Sequence, residues 1–262
     1  DLARQLLRDF WKKLSYAANP LGIPEMVWDQ TGAFSPTAMT VDFFSKLFSP
    51  YQLNVLDINP LKEILDELID FKELQRCSKV ELYVNATHVQ SGKIRVFQKK
   101  ELTRDMVLAS ACLQLLFKTV YVDGEPYWDG GFSGNPAIFP LIYNQENRDV
   151  VIVQINPLWV DNVPTTAADI VDRMNEISFN ATLMREMRAI AFVSKLKDDG
   201  TLAGDNRYKK MFIHMIDGED TLRKFGQKSK LVADWNFLEE LFELGQSRAT
   251  EWLDDHYKSL GK

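Results

Sequence analysis

The amino-acid sequence predicts an α/β fold in which helices cover a sheet in layers. Stretches with apolar residues every three or four positions alternate with short apolar runs that are typical of strands. The run 149–155 is apolar at nearly every position, as expected for a central strand that is covered on both faces. A chain of 262 residues suffices for one large domain of this class over 1–262, and does not demand two.

The first part of the chain alternates between helical and strand-like patterns. Apolar residues at helical spacing predict helices over 2–14, 60–71 and 71–77. Strand-like runs at 79–89 and 93–98 are separated by a Ser-Gly turn, which favours two neighbouring strands. We discount the glycosylation-like triplet Asn85-Ala86-Thr87, because a glycan would not fit inside a strand.

The next predicted elements continue this alternation. Thr103 precedes a helical run that ends at Leu113, and is its expected N-cap. Ser110 lies inside this helix without a nucleophile elbow, so core packing explains it better than catalysis. Further strands are predicted at 117–122, 149–156 and 209–216, and further helices over 136–143, 165–197 and 231–260.

Residues 19–60 have a different composition, with prolines and glycines between many aromatic side chains. A loop-rich segment with so much apolar surface cannot be fully solvated, so we expect it to pack on the core as a peripheral segment. The same residues suit a lid or an acyl-pocket wall, because lipid sites are concave and mostly apolar. The side chains that would line this wall are Phe43, Phe44 and Phe48.

The strongest candidate for chemistry is Asp129, at the end of a predicted hairpin. Asp123-Gly124 between two short apolar or aromatic runs is typical of a tight hairpin turn. Gly130 and Gly131 follow the aspartate, so that no neighbouring side chain crowds its carboxylate. We expect these glycines to permit positive φ and close approach of another backbone. An Asp-Gly pair taken alone is more often a turn before a helix.

The order of motifs around this aspartate resembles that of bacterial patatin-like phospholipases. In that family an Asp-Gly-Gly or Asp-Gly-Ala motif carries the base of a Ser–Asp dyad. Here Asp129-Gly130-Gly131 follows the run 108–113 and precedes Asn135-Pro136, an expected helix start, and the strand 149–157. Gln114 stands where many relatives have proline, and the likeness is most specific over 80–157.

This resemblance implies a three-layer α/β/α sandwich with a central, mostly parallel sheet. It also implies hydrolysis of lipid or fatty-acyl esters, with Asp129 as the catalytic base. Trp128 and Phe132 flank the motif, and partial burial among such side chains would raise the basicity of the carboxylate.

Two motifs of the family are missing from the chain. Its nucleophile lies in G-x-S-x-G and its oxyanion hole in a Gly-rich loop, both ahead of the aspartate, and neither occurs in 1–262. We therefore expect an N-terminally incomplete domain, inactive alone, whose serine comes from a companion N-terminal segment of the same protein. The alternative is a patatin-like binding or regulatory module that lost its dyad.

The net charge and the cysteine and histidine residues limit which classes of partner, location and cofactor we expect. A net charge of −6 argues against nucleic acid and gives no general attraction to anionic lipid, so membrane contact would be peripheral, local and apolar. Cys77 and Cys112 suit reduced thiols and a cytoplasmic location, while the missing N-terminus leaves secretion open. The histidines have no metal-ligand spacing and no phosphate loop occurs, so we expect no metal and no cofactor.

Overall fold

The computed structural model describes residues 2–18, 49–144, 146–202, 204–205, 207–222, 225, 229–230 and 232–261. By their contacts they divide into a first unit, Asp1–Gly134 with Phe225–Glu240, and a second unit, Asn135–Lys224 with Leu241–Lys262. A single domain over 1–262 stays a prediction. Phe43, Phe44 and Phe48 lie outside the described residues, so the lid or acyl wall also stays a prediction.

Most helices and strands occur where the sequence patterns predict them, whereas two short helices, Pro50–Leu53 and Glu219–Leu222, were not predicted. The first unit contains α1 (Leu2–Ala18), α2 (Pro50–Leu53), α3 (Pro60–Leu68), α4 (Phe71–Arg76), β1 (Tyr83–His88), β2 (Ile94–Gln98), α5 (Arg104–Ser110), β3 (Val120–Val122) and β4 (Glu125–Asp129). The second contains α6 (Phe139–Asn144), β5 (Asp149–Gln154), α7 (Ala167–Asp198), β6 (Phe212–Asp217) and α8 (Glu219–Leu222). Helix α9 (Trp235–His256) begins in the first unit and ends in the second.

Capping side chains define several helix starts. The predicted cap Thr103 is confirmed, since its hydroxyl accepts a hydrogen bond from the Met106 backbone N–H at the start of α5. The predicted cap Asn135 is wrong, because α6 begins only at Phe139. The Asn135 backbone N–H instead donates to the hydroxyl of Thr182, a residue of α7.

The first unit is built on an antiparallel sheet with the strand order β2-β1-β4-β3. The expectation of a mostly parallel main sheet is therefore wrong for the described residues, although the mixed α/β class holds. Short connections account for two of its three pairings, β1 with β2 and β3 with β4, because tight hairpins can join only antiparallel strands. Asp123 and Gly124, between β3 and β4, both take positive φ (53° and 84°), as the predicted hairpin turn requires.

A single apolar cluster covers one face of this sheet. Its buried members come from the strands, from α5 and from the segment just before α5: Ala86, Phe97, Leu102, Met106, Ala109, Val122 and Tyr127. Strand β4 pairs with β1 so that Asp129 lies opposite Ala86, which has no exposed surface. Directly opposed residues of an antiparallel pair point to the same face, so the Asp129 side chain lies on the covered face.

The second unit contains a parallel pair, β5 and β6, joined through the long helix α7. Val150 and Ile152 of β5 are buried against α6 and α7, whereas Val151 and Val153 are 43% and 70% exposed. The expectation that β5 is covered on both faces is therefore wrong for the described residues. Among the described residues, β5 pairs with β6 alone. The strand therefore contains more apolar side chains than the observed packing buries.

Among the described helices, none combines the length and the apolar character needed to cross a bilayer.

Candidate active site

Asp129 is the last residue of β4, and the structure holds its backbone from two sides. Its N–H donates to the carbonyl oxygen of Cys112 at 3.0 Å. Its own carbonyl oxygen accepts a hydrogen bond from the hydroxyl of Thr87, in β1, at 2.7 Å. Both partners belong to the first unit, so the position of the aspartate is fixed by the antiparallel sheet and by the segment after α5.

The carboxylate of Asp129 has one occupied and one open oxygen. Oδ1 accepts a hydrogen bond from the Gly131 backbone N–H at 2.7 Å, which turns the chain immediately after the strand. Among the described residues, none hydrogen-bonds to Oδ2. Burial raises the pKa of Asp129, and the Gly131 N–H only partly opposes this shift, because it stabilises the charged form. The result is a carboxylate with raised basicity and a free acceptor atom.

Gly130 is required by the close approach of β1. A Cβ atom at this position would overlap the backbone carbonyl of Asn85, so no side chain fits there. This confirms the expected close approach to the motif. The expected positive φ is wrong, since neither Gly130 nor Gly131 is among the glycines with positive φ. Both lie in a single 3-10 turn, Gly130–Phe132.

Two polar residues of β1 hold the turn that follows Asp129, and the sequence analysis missed both. The Asn85 side-chain amide donates to the carbonyl oxygen of Gly134 at 2.7 Å. Thr87 is 6% exposed, and its hydroxyl contacts the Asp129 carbonyl and, at 2.8 Å, the Ser133 hydroxyl. Polar residues at alternate positions of a core strand were the available signal, because buried polar groups need partners.

A family model described as patatin-like phospholipase matches residues 2–142. The chain belongs to the patatin-like phospholipase family. This is a family of lipid acyl hydrolases, and the match includes Asp129 and the turn that follows it. No curated protein matches the chain.

The side chains of Ser110 and Cys112, the two candidate nucleophiles on the segment before the hairpin, are each hydrogen-bonded to a backbone carbonyl. The Ser110 hydroxyl donates to the Val107 carbonyl at 2.7 Å, which supports the packing interpretation. The thiol of Cys112 is buried and donates to the Lys118 carbonyl. Burial raises the pKa of this thiol, and the nearby charge of Asp129 raises it further, so the reactive thiolate is disfavoured.

The three histidines of the chain also have other partners. His88 contacts Ser91 and Glu125 through its two ring nitrogens, both at 2.8 Å. In the second unit, His214 contacts Asp149, and His256 packs beside Trp252. In the described part of the chain, none of these histidines hydrogen-bonds to Asp129. Among the described residues, no three His, Cys, Asp or Glu side chains are grouped to hold a metal ion.

Proposed function

We propose that this chain supplies the base of a Ser–Asp dyad in a lipid acyl hydrolase of the phospholipase A or esterase type. The base is Asp129, and the serine and the oxyanion loop come from a companion N-terminal segment of the same protein, outside 1–262. One observation carries the proposal: the Asp129 carboxylate is desolvated and held through Oδ1, while Oδ2 is open. Membership of the patatin-like family supports the reaction class.

The mechanism follows from the two oxygens of the carboxylate. A serine hydroxyl within about 2.6–3.2 Å of Oδ2 would donate its proton to that oxygen as its Oγ attacks the acyl carbonyl carbon. The negative charge then forms on the carbonyl oxygen, where the companion's backbone N–H groups would stabilise it. Collapse breaks the ester bond, and Asp129 returns the proton to the departing alcohol. Water then cleaves the acyl-serine by the same steps.

The pH dependence expected from this mechanism is set by the Asp129 carboxylate. Only the ionised form can accept the serine proton. Because burial raises the pKa of Asp129, protonation begins at a higher pH than for an ordinary aspartate. We expect the activity to fall on the acid side, and to begin falling above the usual carboxylate range.

An aromatic side chain beside the motif supports the proposed substrate class. Phe132 lies in the turn directly after Asp129 and is 41% exposed, which suits contact with an acyl chain. The acyl wall predicted from the sequence, with Phe43, Phe44 and Phe48, remains part of the proposal. We propose lipid or fatty-acyl esters as substrates, with local apolar contact at a membrane surface. The free thiols of Cys77 and Cys112 support a cytoplasmic location.

The test compares Asp129, the last residue of β4, with Asp149, the first residue of β5. Asp129→Asn keeps an acceptor for the Gly131 N–H but cannot take a proton from serine. In protein that contains the companion segment, we expect its hydrolysis of a p-nitrophenyl fatty-acyl ester to fall by about three orders of magnitude or more. The matched control is Asp149→Asn, in β5, which should leave turnover per folded molecule near that of the unmodified protein.

Two results would contradict the proposal. The first is hydrolysis of the ester by residues 1–262 alone, above that of an Asp129→Asn sample. The second is full activity of Asp129→Asn in the protein with its companion segment. If the protein with all its segments binds fatty-acyl esters but never hydrolyses them, the alternative of a binding or regulatory module is correct.

A further inference from the structure

We infer that Thr87 and Ser133 form a hydroxyl relay that positions Asp129 for catalysis, and that Asn85 holds the far end of the same turn. This inference rests on the proposed function of Asp129. None of the three residues belongs to the Asp-Gly-Gly motif. They are positioning residues, since they act on the backbone of the turn and reach the nucleophile only through the carboxylate.

The direction of the relay follows from the donors available. A carbonyl oxygen can only accept, so the single hydroxyl hydrogen of Thr87 is used on the Asp129 carbonyl. Ser133 must therefore be the donor in its contact with Thr87. The chain of bonds runs from the Ser133 hydroxyl to Thr87 and on to the Asp129 carbonyl. Successive hydrogen bonds of this kind polarise and strengthen one another.

The relay links the first residue of the turn, Asp129, to its fifth residue, Ser133. Ser133 lies four residues after Asp129, and Thr87 connects the two positions from the neighbouring strand. Thr87 is 6% exposed, so losing its hydroxyl would leave the partly buried Asp129 carbonyl without this donor. The backbone at Asp129 therefore has one strongly favoured position.

Asn85 fixes the remaining end of the turn. Its side-chain amide donates to the carbonyl oxygen of Gly134, and its backbone lies against Gly130. Asn85 and Thr87 are two residues apart in a strand, so their side chains leave the same face of β1. The six residues from Asp129 to Gly134 are thus anchored to β1 at both ends and at the second residue.

The relay should affect catalysis through the distance between Oδ2 of Asp129 and the serine hydroxyl. The Gly131 N–H fixes Oδ1, so any movement of the turn moves Oδ2 relative to the serine. A displacement of about 1 Å can lower a reaction rate about 100-fold. The relay should therefore affect the chemical step much more than the binding of the acyl chain.

The experiment measures kcat and KM for a p-nitrophenyl fatty-acyl ester, with the protein and its companion segment together. Active sites are counted with a fluorophosphonate that labels the serine, so that misfolded molecules do not enter kcat. We expect Thr87→Val to lower kcat per labelled site at least about 10-fold with little change in KM. Ser133→Ala should lower kcat in the same direction by a smaller factor, and Thr87→Ser should retain most of it.

The control is Thr250→Val, in α9, which removes a threonine hydroxyl bonded to the Gln246 carbonyl and should leave kcat unchanged. Unmodified kcat per labelled site in Thr87→Val or in Ser133→Ala overturns the inference. Should Thr87→Val fail to fold, Ser133→Ala decides alone, since it leaves no buried carbonyl without a donor. Loss of activity in Asp129→Asn with normal Thr87→Val would overturn the relay but leave the proposed function intact. Full activity in Asp129→Asn overturns both.

Discussion

The two sheets in the described part of the chain each carry an aspartate at one terminus of a strand, and their surroundings shift its pKa in opposite directions. Asp129 ends β4 in the antiparallel sheet, where burial raises its pKa and one oxygen is open. Asp149 begins β5 in the parallel pair, where the Gly261 N–H and the His214 ring both donate to Oδ1 and lower its pKa.

The two environments favour opposite protonation states of a carboxylate. A carboxylate that is already satisfied by two donors is stabilised in its charged form and has little tendency to accept a proton. A carboxylate that is desolvated and half satisfied is poised to accept one. Desolvation dominates at Asp129, where β1 pairs with the end of β4 and anchors the turn that follows.

The largest effect on stability is expected from adding a side chain at Gly130, where β1 lies against the turn after Asp129. Gly130→Ala places a methyl group on the Asn85 carbonyl, so we expect the free energy of unfolding to fall by about 3 kcal/mol or more. Gly245→Ala, in α9, meets no atom within 4 Å and should raise it by about 0.5–1 kcal/mol. Urea unfolding of the two variants provides the measurement. Equal effects would show that the turn is not closed by β1.

The next largest effect is the difference in stability between substitutions on the buried and the exposed face of β5. Ile152→Ala removes a side chain that is 6% exposed, and should lower the free energy of unfolding by about 2–3 kcal/mol. Val153→Ala, on the other face of the same strand, should change it by about 0.5 kcal/mol or less. Thermal unfolding of residues 1–262 compares them. A large loss in Val153→Ala would mean that both faces are covered, as the sequence predicted.

The smallest effects are the opposite pH dependences of the two aspartates. A raised pKa at Asp129 means that its ionisation opposes folding, so stability is lost as pH rises through the ordinary carboxylate range and up to the raised pKa. Asp129→Asn should therefore be more stable than the unmodified protein at neutral pH, and the difference should vanish in acid.

For Asp149 the sign is reversed. Its lowered pKa stabilises the fold above the ordinary carboxylate range, and this contribution is lost as pH falls through the lowered pKa. Asp149→Asn should be less stable at neutral pH and equal to the unmodified protein in strong acid. Midpoints of thermal unfolding across pH, measured for both variants, give the two slopes. Slopes of the same sign would remove the contrast between the sheets.

Local patterns determined much of the fold. The hairpin at Asp123-Gly124, the cap at Thr103 and the long helix α7 follow from turn chemistry, capping and apolar spacing, which act over a few residues. The motif at Asp129 was visible for the same reason. The strand β5 was predicted correctly as a strand, but its cover was not, since composition alone does not reveal how many neighbours a strand has.

Only the tertiary structure decided how Asp129 is held. Thr87 and Asn85 meet the turn across 42 to 49 residues of sequence, because β1 pairs with β4 rather than with β2 alone. The local sequence Asn85-Ala86-Thr87 does not predict that β1 pairs with β4. Strand order depends on which apolar faces can be buried together, and that choice involves the whole sheet. The sequence identified Asp129 as the candidate base, and the sheet determines which groups hold it and which of its oxygens is open.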